Sequence, residues 1–153
     1  MGLNIPKEER DICFQLTEPV WAAAFLTNDV QSWEKEYEAA KTLGLTEIDS
    51  SVSILMRQAS IDAEEAKSRV LQKAKDLVAT YVKTLQHIKT RGDLCLQSRV
   101  FIEAMQYFIS GNAIWGISAP RYHPDRKLSN LQIERLRNGW PGQSRQTAPS
   151  SRS

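Results

Sequence analysis

The chain has 153 residues, 41% of them hydrophobic and 25% charged, and a formal net charge of +2. That is the size and composition of one soluble helical or mixed domain, or of part of one. Two cysteines make no disulfide framework, and no run of apolar residues is long enough to span a bilayer, so secreted disulfide scaffolds and integral membrane proteins are excluded as readings.

In chain order, Pro6 suits the first turn of a helix. Lys7-Glu8-Glu9-Arg10-Asp11 then places mostly acidic charge where the helix dipole favours it. The same charged run stands where a signal peptide would have its apolar core, which favours a soluble, reducing, cytoplasmic setting. Ile12, Leu16, Val20 and Ala23 recur at helical spacing, so the helix is expected to continue through Pro19 with a kink. Ala22-Ala23-Ala24 lets a neighbouring helix approach closely. The helix is expected to run to about Thr42, with Gly44 ending it. Leu45 to Ser50 reads as a connection. Ser51 to Ser60 reads as a short helix with Val52, Leu55, Met56 and Ala59 along its apolar stripe.

Asp62 as N-cap, with Glu65 reaching back, resembles a capping box for a third helix that ends near Thr90. Its apolar positions include Ala66, Val70, Tyr81, Leu85 and Ile88. Arg91-Gly92 breaks it, and Asp93 is expected to cap the last large helix, Leu94 to Ser118. That helix carries Val100, Phe101, Ile102, Met105, Phe108, Ile114 and Trp115 with little polar face, a pattern that predicts central burial. Gly111 and Gly116 within it cost about 1 kcal/mol each relative to Ala, which a close neighbouring helix or a kink beside a cavity would offset. Pro120 terminates it. There is no period-two strand pattern and no internal repeat; the reading is all-α.

Residues 1–125 form the folded part in this reading. Residues 126–153 form a basic, Ser/Pro/Gln-rich, linker-like tail with a short helix at 130–137. From Pro120 onward seven Lys and Arg face two Asp and Glu, so the basic excess belongs to the tail. Aromatic residues do not interleave with those charges, so a nucleic-acid partner is not the reading. Cys13 and Cys95 lack zinc-ligand spacing and read as free thiols. His87 and His123 have no partner spacing for metal binding or nucleophilic catalysis.

The informative stretch is Asn28-Asp29-Val30-Gln31-Ser32-Trp33-Glu34-Lys35-Glu36. Asn28, Ser32 and Glu36 stand at i, i+4 and i+8, so on a helix they climb one face with a drift of about 40° per step. They offer an amide carbonyl, a hydroxyl and a carboxylate. That oxygen set suits Mg²⁺, which shares its shell with substrate phosphates. Lys35, beside the last ligand, can supply a point charge to a diphosphate.

The stretch resembles the second metal motif of class I terpene synthases, N-D-[LIV]-x-[ST]-x-x-x-E, at every specified position: Asn28, Asp29, Val30, Ser32 and Glu36. A second element agrees with that family: Arg121-Tyr122, with Trp115 six residues before the Arg. The run from Ser110 to Pro124 is most similar to the cyclase half of fungal bifunctional terpene synthases, which join a cyclase to a prenyltransferase. The resemblance covers about residues 2 to 125 and implies the C-terminal helices of the isoprenoid synthase fold. It implies Mg²⁺ as cofactor at Asn28, Ser32 and Glu36, and a prenyl diphosphate held by Lys35 and Arg121. It also implies catalytic roles for Trp115, facing a carbocation, and for Tyr122. Asn112 either satisfies a backbone carbonyl or steers the cation, and Phe101 and Phe108 line or pack.

The family's aspartate-rich motif does not occur in the chain, which has no Asp-Asp pair. The expectation is therefore a portion of a cyclase domain that ionises and cyclises a linear prenyl diphosphate, geranylgeranyl or geranylfarnesyl. The missing N-terminal cyclase half or a prenyltransferase domain would be its partner. Trp115 and its neighbours would then expose an apolar patch. The alternative is a non-catalytic helical protein, kept as an interaction module or a gene remnant.

Overall fold

The computed structural model describes residues 2–122. The tail, its short helix and His123 lie outside that range. Four helices follow in order: α1 (Lys7–Leu43), α2 (Ser51–Ala59), α3 (Ala63–Ile88) and α4 (Leu96–Ser118), with no strand among the described residues. The architecture is all-α.

Helix α1 packs against each of the other three. One core surrounds its first half, where Cys13 and Val20 meet Tyr81 and Ile88 of α3, and Ile102 and Met105 of α4. A second surrounds its second half, where Trp33 meets Val52 of α2, and Ala66 and Val70 of α3. The start of α3 thus lies beside the second half of α1 and its end beside the first, so the two run antiparallel. The α3–α4 turn reverses the chain again, leaving α4 parallel to α1.

Helix α1 is unbroken through Pro19. A Pro in a helix deprives the carbonyl four residues back of its donor. Two residues closer to the N-terminus, the buried Thr17 hydroxyl donates to the Cys13 carbonyl at 2.8 Å, a back-bond that helps a helix bend around such a defect. Ala23 and Ala24 are buried, as the small-residue run predicts. Gly44 ends the helix at φ 68°, where a Cβ would be strained, and its N–H caps the carbonyls of Ala40 and Lys41.

Caps account for the main departures from expectation. Ser50 caps α2, its hydroxyl accepting from Ser53 N–H at 3.2 Å. Asp62 caps α3 by accepting from Glu65 N–H at 2.8 Å, but Glu65 does not reach back; its carboxylate pairs with Arg69 one turn on. Asp93 does not cap α4. It is taken by the Arg91 guanidinium two residues earlier (Nε to Oδ1, 2.7 Å), and the helix starts at Leu96 behind Cys95. The Cys95 N–H donates instead to the Glu9 carboxylate of α1 at 3.0 Å, so the cap comes from 86 residues away.

Helix α4 is not centrally buried. Ile102 and Met105 are buried, whereas Tyr107, Ile114, Trp115 and Ile117 are exposed, Tyr107 at 73%. The helix is apolar on two sides and one is covered. Of its glycines, Gly111 faces open space, while Gly116 is in close contact with α1.

Tyr81 is buried, and its hydroxyl donates to the Ile102 carbonyl of α4. Burial pushes its pKa up to about 12. Tyr81→Phe should lower unfolding free energy by about 1 kcal/mol in urea denaturation, because the carbonyl keeps its helical partner. Glu9 is held below the ordinary carboxylate range, first by hydrogen bonding to Ser98 and then by the Cys95 N–H. A depressed carboxylate stabilises the fold above its unfolded-state pKa and loses that contribution as pH falls through its folded-state pKa. The stability gap between the parent chain and Glu9→Gln should therefore be widest at neutral pH and narrow as pH falls below the ordinary carboxylate range in denaturation series.

Candidate metal and diphosphate site

The second half of α1 distributes successive side chains among its neighbours. Val30 and Trp33 enter the core shared with α2 and α3. Glu34 accepts from Lys67 of α3 at 2.8 Å, and hydrogen bonding to Glu34 and then Glu64 raises the Lys67 pKa. Asn28 and Gln31 turn toward α4 and the segment after it. Ser32 is buried, and its hydroxyl has no hydrogen-bond partner among the described residues.

The structure brings four of the residues singled out from sequence together. The Tyr122 hydroxyl donates to Asn28 Oδ1 at 3.0 Å across 94 residues of chain. The Trp115 ring meets the Tyr122 ring edge-on, 5.5 Å between centroids. The Arg121 guanidinium lies over the Tyr122 ring at 5.7 Å, within cation–π range, with its side chain at the exposed rim. The Arg-Tyr pair and the start of the Asn/Ser/Glu face are thus one locus. Trp115 is half exposed rather than enclosed.

Glu36 and Lys35 stand apart from that cluster. Lys35 is exposed. Glu36 is half-buried and lines a groove of about 280 Å³ with Ile48 and Asp49. It lies two turns past Asn28, roughly 12 Å along the axis. Ser32 lies between the two, one turn from each, on the same helix face. The donor set is all oxygen, and among the described residues nothing partners the buried Ser32 hydroxyl, a combination that fits a hard divalent cation. Among the described residues no group of three His, Cys, Asp or Glu side chains could hold a metal. An ion here would depend on the amide and the hydroxyl.

Sequence reasoning missed one role and left another open between two alternatives. Asp29, inside the motif, points at α2: its Oδ2 accepts from Ser51 N–H at 2.7 Å, tying the start of α2 to the metal-motif helix. An acidic residue followed at a distance by Ser50-Ser51 carries no sequence signal for this. Asn112 donates to the Ala24 carbonyl at 3.3 Å, the first of its two alternatives.

A family model described as the C-terminal metal-binding part of terpene synthase family 2 matches residues 1–80, just over half the chain. The chain belongs to the terpene synthase family. It is 55% identical over 142 residues to phomopsene synthase of Phomopsis amygdali, covering 92% of this chain and 20% of that protein. It is 33% identical over 141 residues to a bifunctional type I diterpene synthase of Aspergillus flavipes, covering 92% of this chain and 18% of the relative. A bifunctional sesterterpene synthase of Aspergillus aculeatus is 30% identical over 140 residues, with 92% and 20% covered. This terpene synthase chain spans about a fifth of the length of the curated relatives it matches. The family model covers the whole Asn28–Glu36 stretch. Among the described residues, no helix is long and apolar enough to cross a membrane.

The Asp29 anchor is testable by stability alone. Asp29→Ala should cost about 1 kcal/mol, as loss of a helix N-terminal acceptor does, and Asp29→Asn should recover most of it. Chemical denaturation reads both; an alanine variant as stable as the parent would remove the anchoring role.

Proposed function

We propose that this chain contributes the Asn/Ser/Glu metal face and the Arg-Tyr pair of a class I terpene cyclase acting on a linear prenyl diphosphate, geranylgeranyl or geranylfarnesyl. The observation that carries the reading is the contact between Tyr122 and Asn28, which joins two motifs 94 residues apart. Membership of the terpene synthase family supports it. Residues 1–125 would be the cyclase portion and 126–153 a linker-like tail. The remainder of a cyclase, or a prenyltransferase domain, would be the partner.

Asn28, Ser32 and Glu36 would hold Mg²⁺. When bound, the metal supplies Lewis-acid stabilisation of the negative charge that grows on a leaving diphosphate. Arg121 would hydrogen-bond diphosphate oxygens in a bidentate fork, and Lys35 would add a point charge. Tyr122 holds the Asn28 carboxamide by its oxygen. The second lone pair of that oxygen remains available to a cation. Trp115 offers an aromatic face that stabilises carbocation charge without supplying a base or nucleophile.

A second reading, a non-catalytic helical interaction module, is favoured by the exposed Tyr107, Ile114 and Ile117 of α4. Titration of the chain with inorganic pyrophosphate, with and without Mg²⁺, separates the two. The cyclase reading expects Mg²⁺-dependent binding that weakens about tenfold or more in Asn28→Ala and in Glu36→Ala, the size of a lost charge-assisted contact. Binding indifferent to chelation and to both substitutions would sink the metal assignment in favour of the module.

A further inference from the structure

The contact between Asn28 and Tyr122 requires α1 and α4 to meet in one register. The apolar contacts between them, at Val20, Ile102 and Met105, hold the helices together but are non-directional. Within one turn of Asn28, however, two carboxamides cross the seam in opposite directions. Asn112 of α4 donates to the Ala24 carbonyl of α1 at 3.3 Å. Gln31 of α1 donates to the Ala113 carbonyl of α4 at 3.2 Å. In an α-helix the Ala24 carbonyl is also the acceptor for the Asn28 N–H, so Asn112 is one bond removed from the Asn28 peptide. Both carbonyls already have helical partners. The crossing bonds are therefore not needed to satisfy the backbone; they are directional constraints between two helices.

Gly116 makes the crossing possible. A Cβ there would lie 1.7 Å from Gln31 Oε1 and 2.2 Å from its Cδ, so the space that a side chain would fill is occupied by the Gln31 carboxamide. Gly116 lies one residue past Trp115 and shortly before Arg121 and Tyr122. What fixes Gln31 against α4 therefore also sets where the Arg-Tyr pair emerges.

We propose that Gln31, Asn112 and Gly116 form a reciprocal clasp, a set of positioning residues that sets the register of α4 on α1 and thereby the distance from Tyr122 to Asn28. Its effect on ligand binding rests on the metal-and-diphosphate reading above; its effect on geometry does not.

The test uses the whole chain and two readouts. One is the nuclear Overhauser contact between the Tyr122 ring and the Asn28 side-chain amide. The other is the Kd for inorganic pyrophosphate with Mg²⁺. Gly116→Ala should displace Gln31, abolish the Overhauser contact and weaken binding about tenfold, while helical circular dichroism is retained. Gln31→Ala removes the donor and should itself weaken the contact; in that background the methyl group has room, so adding Gly116→Ala should cause no further loss in either readout. Such non-additivity is the signature of two groups competing for one space. Gln31→Met fills that space but cannot donate, and it should also lose the contact. It decides the matter if Gly116→Ala fails to fold. The clasp is overturned if Gly116→Ala keeps the contact and a Kd within about twofold, the range of a neutral substitution, or if it costs the same in both backgrounds. If the parent chain binds no pyrophosphate, the diphosphate reading fails and the Overhauser contact alone decides the clasp.

Discussion

The fold depends on one helix serving three neighbours at once. In α1 beyond Pro19 each side chain is committed by its angle around the axis. Asn28 and Gln31 face α4, Asp29 reaches the start of α2, Val30 and Trp33 enter the core with α2 and α3, and Glu34 meets Lys67 of α3. At about 100° per residue, nine consecutive positions sample the whole circumference twice over. A one-residue shift would send Trp33 toward solvent and Asn28 away from Tyr122. The same nine residues thus carry the packing and the candidate site, and the site cannot move without the packing.

Polar groups do the locating and apolar groups the holding. Three α1 side chains make long-range attachments to the backbone of other elements, each with directional geometry: Glu9 on Cys95 N–H, Asp29 on Ser51 N–H and Gln31 on the Ala113 carbonyl. Two of these end at the N-terminus of a helix, where orphan N–H groups and the macrodipole favour a carboxylate. Each also substitutes for, or adds to, a local cap. At α4 the local candidate, Asp93, is lost to Arg91, and the distant Glu9 accepts the Cys95 N–H.

The helices were legible in the sequence because their signals are local. Gly44 as terminator, Asp62 as N-cap and the periodic apolar positions of α3 each act within a few residues, and α1 and α3 accordingly fall where the pattern puts them. What was not legible is what depends on pairing across the chain. Nothing near Asp93 says that Arg91 will outcompete the α4 N-terminus, nor does anything near Gly111 and Gly116 say that only the second abuts a helix. The candidate site divides the same way. Spacing grouped Asn28, Ser32 and Glu36, and the family resemblance added Arg121 and Tyr122, but only the fold reveals that Asn28 and Tyr122 touch and that Glu36 lines a separate groove.

The exposure of α4 follows from the same arithmetic. A helix with apolar residues over most of its circumference can be covered by one antiparallel neighbour and one parallel neighbour on only part of it. Here α1 and α3 cover Ile102 and Met105, and Tyr107, Ile114 and Ile117 are left facing outward. At about 25 cal/mol per Å² of apolar surface, covering those three side chains would contribute several kcal/mol, comparable to the net stability of a small domain. A sequence that keeps them apolar rather than charged is consistent with a helix that belongs inside a larger helical assembly. In that setting Trp115, half exposed beside Tyr122 and Arg121, would stand at the boundary between the polar rim and the apolar interior. An aromatic face serves a cation best at such a boundary, where one side is desolvated and the other holds the counter-charge.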